Sequence, residues 1–401
     1  MFRDRCKRFT LAILVAGLYS AGAWAADWPN WRGPNHDGIS AEKGLQTKWA
    51  EAPPLVWERT IGSAFSGLTC VGDHVYTCGT QEGQQVLFCL HADTGEIVWQ
   101  RPLEEAYRER QGGDGTRSTP VVDEGRVYVQ GARGKLICCD AQTGAEHWSR
   151  QFNAMPQWGY SGSVLIEDDL AIAIAGDDDG PLVALDKKSG RIIWKHGQIP
   201  VGYSSPYPFT LEGRRYVVAF LGKSLIIVDI KAGREVWSTP WETSYDVNAA
   251  TPIFHDGHLF FSSGYKHGCR VVKLQRAGEK LEGETVWESQ AIRAKFQSPV
   301  LYEGHLYTSD EVGLKCVEFA TGQVKWGRRG VTSGTVVIAD GNLFLLAETG
   351  KLFIGKASPS EFAETTDVQI LNGRCWTVPT LYRGRLYARD FDRLVCLNLK
   401  P

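Results

Sequence analysis

Residues Ser118 to Trp148 read STPVVDEGRVYVQGARGKLICCDAQTGAEHW, and the rest of the chain is built from imperfect copies of them. The stretch predicts four short strands. Thr119 to Val122 leads into a turn at Asp123-Glu124-Gly125, and Arg126 to Gln130 is a β-branched and aromatic run that stops near Gly131. Leu136 to Cys139 makes a third run, Thr143-Gly144 punctuates it, and Ala145 to Trp148 begins a fourth. An antiparallel sheet this small has two apolar faces and no core of its own, so it must stack against copies of itself.

The T-G-x-x-x-W ending recurs as Thr94-Gly95 with Trp99, Ser189-Gly190 with Trp194, Ala232-Gly233 with Trp237 and Thr321-Gly322 with Trp326, and more loosely at Trp287. From Trp57 to Trp326 these tryptophans stand 39 to 50 residues apart, the period of a propeller blade. A second signature keeps register with the first: Ser205-Pro206, Thr251-Pro252, Ser298-Pro299 and Val378-Pro379 each open a strand. Strand-opening positions fall at about Leu68, Pro120, Ser163, Pro206, Pro252, Pro299, Val336 and Pro379. Residues 54–401 are therefore predicted to be all-β, an eight-bladed β-propeller of four-stranded antiparallel blades. The tryptophans are read as packing between blades, each contributing about 1.5–3 kcal/mol of burial. Pro54 to Thr60 supplies an outer strand without the preceding three, and Val378 to Leu399 supplies three strands without an outer one. Pairing the two closes the ring with an N-terminal outer strand and removes its open edge.

Two segments precede the ring. Met1 to Ala25 has the form of a secretory signal: Arg3, Arg5, Lys7 and Arg8 in front, Phe9 to Gly17 as the apolar middle, and Ala23-Trp24-Ala25 as the cleavage site. Its apolar run is too short to span about 30 Å of hydrocarbon, and no lipid-attachment cysteine follows it. A periplasmic or secreted, monomeric protein without a transmembrane segment is expected. Residues 26–53, containing DWPNWRGPNHDGIS (Asp27 to Ser40), are expected to lie across the propeller as a strap. With 44 Lys and Arg against 46 Asp and Glu, and no basic run, nothing in the chain suits a nucleic acid partner.

Nine cysteines follow the signal. Cys89, Cys138, Cys316 and Cys396 share one repeat position that Ala184, Ile227 and Ile354 fill elsewhere, so the position reads as a packing slot for a free thiol. Strand alternation sends the neighbours Cys138 and Cys139 to opposite faces, which disfavours a disulfide between them.

The repeat G-x-x-Y … L-x-C/A-L-D-x-x-T-G-x-x-x-W, carried by Gly125 to Trp148 and Leu182 to Trp194, resembles that of the pyrroloquinoline quinone (PQQ) dehydrogenase-like propellers. That superfamily includes quinoprotein alcohol dehydrogenases and the outer-membrane assembly factor BamB. Trp28 to Gly38, Trp158 to Ser163, Asp246 to Pro252, Ser262 to Cys269 and Cys375 to Asp390 are more similar to a subgroup of secreted PQQ-like repeat proteins of Planctomycetes. For the alcohol-oxidising members the resemblance implies PQQ and calcium at the ring axis, a base carboxylate, and a cysteine and tryptophan around the cofactor. No stretch here matches that constellation residue by residue. Asp177-Asp178-Asp179-Gly180 is the one cluster of calcium type, and its spacing is that of a hairpin tip. His255, His258, His267 and His305 fall in turns without ligand spacing. No catalytic residue and no metal ligand is assigned.

Laying the units over one another gives a sharper candidate. The first strand of every blade lines the channel, so residues three ahead of each strand opening form a ring at one mouth. Phe65, Arg117, Tyr160, Tyr203, Ala249, Phe296, Ser333 and Trp376 occupy it, with Asn248, Gln297 and Tyr245 alongside. Such a rim suits a planar ligand or a sugar by stacking, with Arg117 able to grip a carboxylate; the alternative is that the same aromatics plug the channel. Arg389-Asp390 reads as a salt bridge in a turn, with a buried pair facing the channel as the alternative. Two functions follow as expectations: a non-catalytic binding or scaffold propeller for a protein, envelope or carbohydrate partner, or a PQQ-dependent oxidoreductase working at the ring axis.

Overall fold

The computed structural model describes residues 26–331 and 333–401; the secretory signal read in residues 1–25 lies outside them. Each copy of the repeat folds as one antiparallel sheet. In the copy that opened the reading, the strands are Val121–Asp123, Arg126–Gln130, Lys135–Asp140 and Glu146–Gln151, paired in chain order. The ring holds eight such sheets. The last is composite: Leu55–Thr60 lies on Arg393–Asn398, with Leu55 opposite Leu397 and Thr60 opposite Arg393, and Arg385–Arg389 and Thr380–Tyr382 continue inward. An N-terminal outer strand thus closes the propeller, as its unpaired halves in the sequence predict.

One blade departs from four strands. Ile39–Ser40 runs parallel beside the inner strand Thr335–Ala339, making a five-stranded sheet. The segment before it crosses the end of the channel. Trp28 bridges Cys70, the Pro29 carbonyl accepts from Val122 N, Trp31 Nε1 donates to Thr251 Oγ1 at 3.1 Å, and Arg32 Nη2 donates to the Pro299 carbonyl at 2.5 Å.

The core lies between blades, because each blade has two apolar faces. Tyr76, Leu87 and Cys89 of the first blade pack with Val127, Ile137 and Cys139 of the second. The repeated tryptophans lock this stacking. The Trp99 indole lies against Gly144 of the next blade, where a Cβ would sit 2.6 Å from the ring, and its Nε1 donates to the Ala141 carbonyl. Trp148 treats Gly190 and Lys187 in the same way, and Trp287 treats Gly322 and Phe319. The Thr-Gly signature therefore marks the place where the preceding blade's tryptophan docks.

A second lock runs around the inner strands. Thr119 Oγ1 accepts from Gly67 N, Ser163 Oγ from Thr119 N, Ser205 Oγ from Ser163 N, and Ser298 Oγ from Thr251 N, at 2.9–3.0 Å. This bond between neighbouring blades is why a hydroxyl residue stands at the strand openings.

All nine cysteines among the described residues are buried and free. Cys89, Cys138, Cys316 and Cys396 face Trp99, Trp148, Trp326 and Trp57 across their ladders. Burial pushes the Cys89 thiol up to about 12. Cys138 and Cys139 enter different clusters on opposite faces.

Arg389 corrects an expectation. Its fully buried guanidinium makes no ion pair with Asp390; it donates instead to the carbonyls of Ser66, Cys78 and Gly62 and to Thr77 Oγ1 of the first blade. The Asp390 carboxylate is engaged by the backbone N–H groups of Gly373, Asp392 and Arg393. The cause is position, since Arg389 ends a middle strand that faces the next blade, and desolvation there lowers its pKa to about 10.

Candidate ligand-binding cavity at the channel mouth

The positions just ahead of the inner strands enclose a cavity of about 280 Å³. Phe65, Arg117, Tyr203, Phe296 and Trp376, from five different blades, line it together with Ala249. One wall is a continuous aromatic surface. Phe65 stacks on Trp376 with centroids 5.0 Å apart, Phe296 lies tilted against the same indole at 4.7 Å, and the Arg374 guanidinium lies 4.7 Å over that ring. Trp376 is held in place by its Nε1 bond to Glu348 Oε1 at 2.8 Å.

Tyr160, Asn248, Gln297 and Ser333, all expected at the mouth, do not line the cavity, and the Ser333 N–H donates to the Asp310 carbonyl. Tyr160 is fully buried, its ring set against Gly134 in the core between the second and third blades, and the next residue, Ser161, lines the cavity instead. Asn248 is buried and works as a brace: Nδ2 lies 2.8–3.1 Å from the carbonyl oxygens of Leu221, Gly222 and Trp241, and Oδ1 accepts from Ser263 Oγ. Gln297 is buried beside Phe296, with its Oε1 accepting from the Phe296 N–H. These residues stand in the irregular connections ahead of the inner strands, where the side chains of Tyr160, Asn248 and Gln297 turn into the blades.

The cavity also contains groups that the repeat did not single out. Trp31 reaches it from the strap, and its bond to Thr251, next to a strand-opening proline, sets it below the ring. The strap thus supplies the deep wall of the cavity. Trp158 stands on the opposite lip, 6.0 Å from Tyr203, with its Nε1 on Gln111 Oε1. Tyr245 is 65% exposed and packs edge-on against both Trp158 and Tyr265, forming the outermost part of the rim. Lys295 lies with its Nζ 4.9 Å over the Tyr265 ring. Gly264 permits this approach, because a Cβ there would fall 2.8 Å from the Lys295 Cα.

Electrostatically the cavity is one-sided. Arg117 and Lys295 line it, and no carboxylate and no histidine does so among the described residues. The Arg117 guanidinium lies 4.6 Å over the Tyr107 ring, and its Nη2 donates to the Gly113 carbonyl at 2.5 Å. Burial lowers its pKa, with Tyr107 and Glu109 opposing. Burial likewise raises the Tyr203 and Tyr265 hydroxyl pKa values.

These residues do not fit a calcium-bound quinone. Calcium takes six to eight oxygens, commonly carboxylates, and among the described residues no group of three or more His, Cys, Asp or Glu could hold a metal ion. Asp177 and Asp179 sit at a hairpin tip and pair with Lys195. The neighbouring cysteines are buried inside the second blade, away from the cavity. No helix among the described residues is long and apolar enough to cross a membrane.

Comparison with known proteins agrees with this architecture. An outer membrane protein assembly factor BamB of Yersinia pestis is 24% identical over 331 residues, covering 79% of this chain and 78% of that protein. The crystal structure of BamB from Moraxella catarrhalis superposes with a TM-score of 0.64 at 18% identity, covering 86% of this chain and 98% of that one. A europium-containing methanol dehydrogenase superposes with a TM-score of 0.68 at 13% identity, covering 90% and 89%. At those identities the two structures establish the shared fold alone. The family profile described as outer membrane protein assembly factor BamB matches residues 83–328, more than half of the chain, and the protein belongs to that family, within the PQQ-like β-propellers.

Proposed function

We propose that this protein is a non-catalytic binding propeller, exported as a monomer to the periplasm or beyond, that holds a protein, envelope component or carbohydrate at the open mouth of its channel. The observation that carries this reading is the composition of the cavity: aromatic rings and two cations without a carboxylate or histidine. General acid–base chemistry needs a titrating group within hydrogen-bond reach of the reacting atom, and a nucleophile needs an adjacent base. Ser163 and Ser205, the two buried serines in the lining, already accept backbone N–H bonds from the neighbouring blade. The relatives named as assembly factors support a role carried out by binding.

The test is a titration of the purified chain with PQQ, with and without calcium, reading melting temperature and dye-linked oxidation of alcohols. No calcium-dependent rise in melting temperature and no dye reduction are expected. A calcium-dependent rise accompanied by dye reduction would replace this reading with a quinone-dependent oxidoreductase.

A further inference from the structure

We propose that the cavity takes a small flat organic anion, an aromatic or conjugated carboxylate of one or two rings, with its carboxylate between Arg117 and Lys295 and its ring against Phe296 and Trp376. This rests on the binding reading above and adds to it a small-molecule ligand for the cavity.

Charge comes first. Neither Arg117 nor Lys295 makes an ion pair with a carboxylate among the described residues. The acids closest to them in the chain and fold are turned to other partners. Glu109 accepts from Gln111 N and Gly112 N, Asp114 from Glu109 N, and Glu311 from Tyr265 N and Lys266 N. Two cations therefore line one recess with low-dielectric aromatic walls and no carboxylate in the lining, while the charges of Glu109 and Asp114 act on Arg117 without forming an ion pair. A bound anion removes that imbalance, and a guanidinium grips a carboxylate with two parallel bonds.

Shape and polarity narrow the body of the ligand. Seven aromatic residues line a space of about 280 Å³, close to the lower end of the usual range for small-molecule pockets, about 300–1,000 Å³. The Phe65–Trp376–Phe296 wall offers a broad π-surface, which favours an offset or edge-on ring. A polyol needs an acceptor for each hydroxyl it buries. Here Gln111 Oε1 is taken by Trp158, the Asn248 amide is satisfied inside the blade, and the two buried serines are engaged. The lining thus offers a polyol few free acceptors, whereas a flat ring needs none. No metal is required, because the protein supplies the positive charge.

The probe is 2-naphthoate, with 2-naphthamide and galacturonate as comparisons, measured by isothermal titration calorimetry on the full exported chain. Naphthoate is expected to bind at one site at least tenfold more tightly than the neutral amide, and Lys295→Met and Arg117→Met are each expected to weaken it tenfold or more. Naphthamide binding as tightly as naphthoate, galacturonate binding in place of naphthoate, or no heat with any probe up to millimolar concentration would each overturn the inference. The acid and amide are compared on the unmodified protein, so the test holds even if Arg117→Met fails to fold. Silence with naphthoate leaves the non-catalytic reading standing, since that reading falls only to calcium-dependent quinone binding with dye reduction.

Discussion

The indole of Trp57, on the strand that closes the ring, packs onto Gly95 of the first blade so closely that a Cβ on the glycine would lie 2.6 Å from Cδ2 and Cε3 of the ring. Trp57 Nε1 donates to the Ala92 carbonyl at 2.9 Å, and Arg59 Nε donates to the Gly95 carbonyl at 2.8 Å. The two ends of the propeller are joined by the same contact that joins its interior blades. Gly95 has φ +68°, and Gly125, at φ +74°, has nothing within 4 Å of the same hypothetical atom. Alanine at either position meets left-handed strain of about 1–2 kcal/mol, but only at Gly95 does it add an overlap worth about 1–3 kcal/mol. Gly95→Ala should therefore lower the urea midpoint clearly more than Gly125→Ala. Equal losses would mean that the docking of Trp57 contributes nothing to closure.

The inner belt predicts a loss of similar size from one oxygen atom. Ser163→Ala removes the acceptor of the buried Thr119 N–H, and an unsatisfied buried donor costs about 1–3 kcal/mol. Denaturant unfolding should detect it, with Ser163→Thr restoring part of the loss. An unchanged midpoint in the alanine variant would show that water replaces the hydroxyl.

Thiol chemistry follows from burial. The chain from residue 26 onward should show no cysteine reactive to a disulfide reagent while folded and nine in guanidinium, and a reductant should leave its melting temperature unchanged. Burial raises the thiols of Cys78, Cys139 and Cys396 to about 12, which suppresses the reactive thiolate. Fast labelling of Cys138 or Cys139 in the native protein would contradict the packed blade interface.

The strap gives stability a pH dependence. Burial lowers the His36 pKa to about 4, with a bond to the Trp31 backbone opposing and the charges of Arg215 and Arg32 adding to it. The folded-state value lies below the ordinary histidine value of about 6.5, so as pH falls the unfolded chain takes up the proton first. Stability is complete above about pH 6.5 and declines toward pH 4, by at most about 3 kcal/mol from this group. Asp37, whose carboxyl pKa burial raises, works in the opposite direction. Melting curves between pH 7 and pH 4 should fall less steeply for His36→Gln than for the natural protein; parallel curves would remove His36 from the balance.

The blades were legible because their signals are local and repeated. Thr-Gly and the tryptophan four residues on, the hydroxyl at the strand opening, and the paired incomplete units at the two ends each recur or complement one another along the chain. The cavity was legible only in part. Phe65, Arg117, Tyr203, Phe296 and Trp376 could be placed because equivalent positions of a ring face one axis. Tyr160 could not, since one residue of phase decides between the axis and the core, and the connections before each inner strand are irregular.

The sequence by itself determined the all-β class, the number of blades, the closing strand and a shared packing slot for Cys89, Cys138, Cys316 and Cys396, because each shows in a repeat of about fifty residues or in the units that the repeat leaves incomplete at its two ends. Tertiary structure alone decided that Trp31 walls the channel from the strap, that Arg389 serves the next blade's carbonyls rather than the Asp390 carboxylate, and that Arg117 and Lys295 share a recess without a carboxylate. Those facts join residues hundreds of positions apart or on different blades. Such contacts depend on where the closed ring places each loop, and no local pattern of residues encodes that placement.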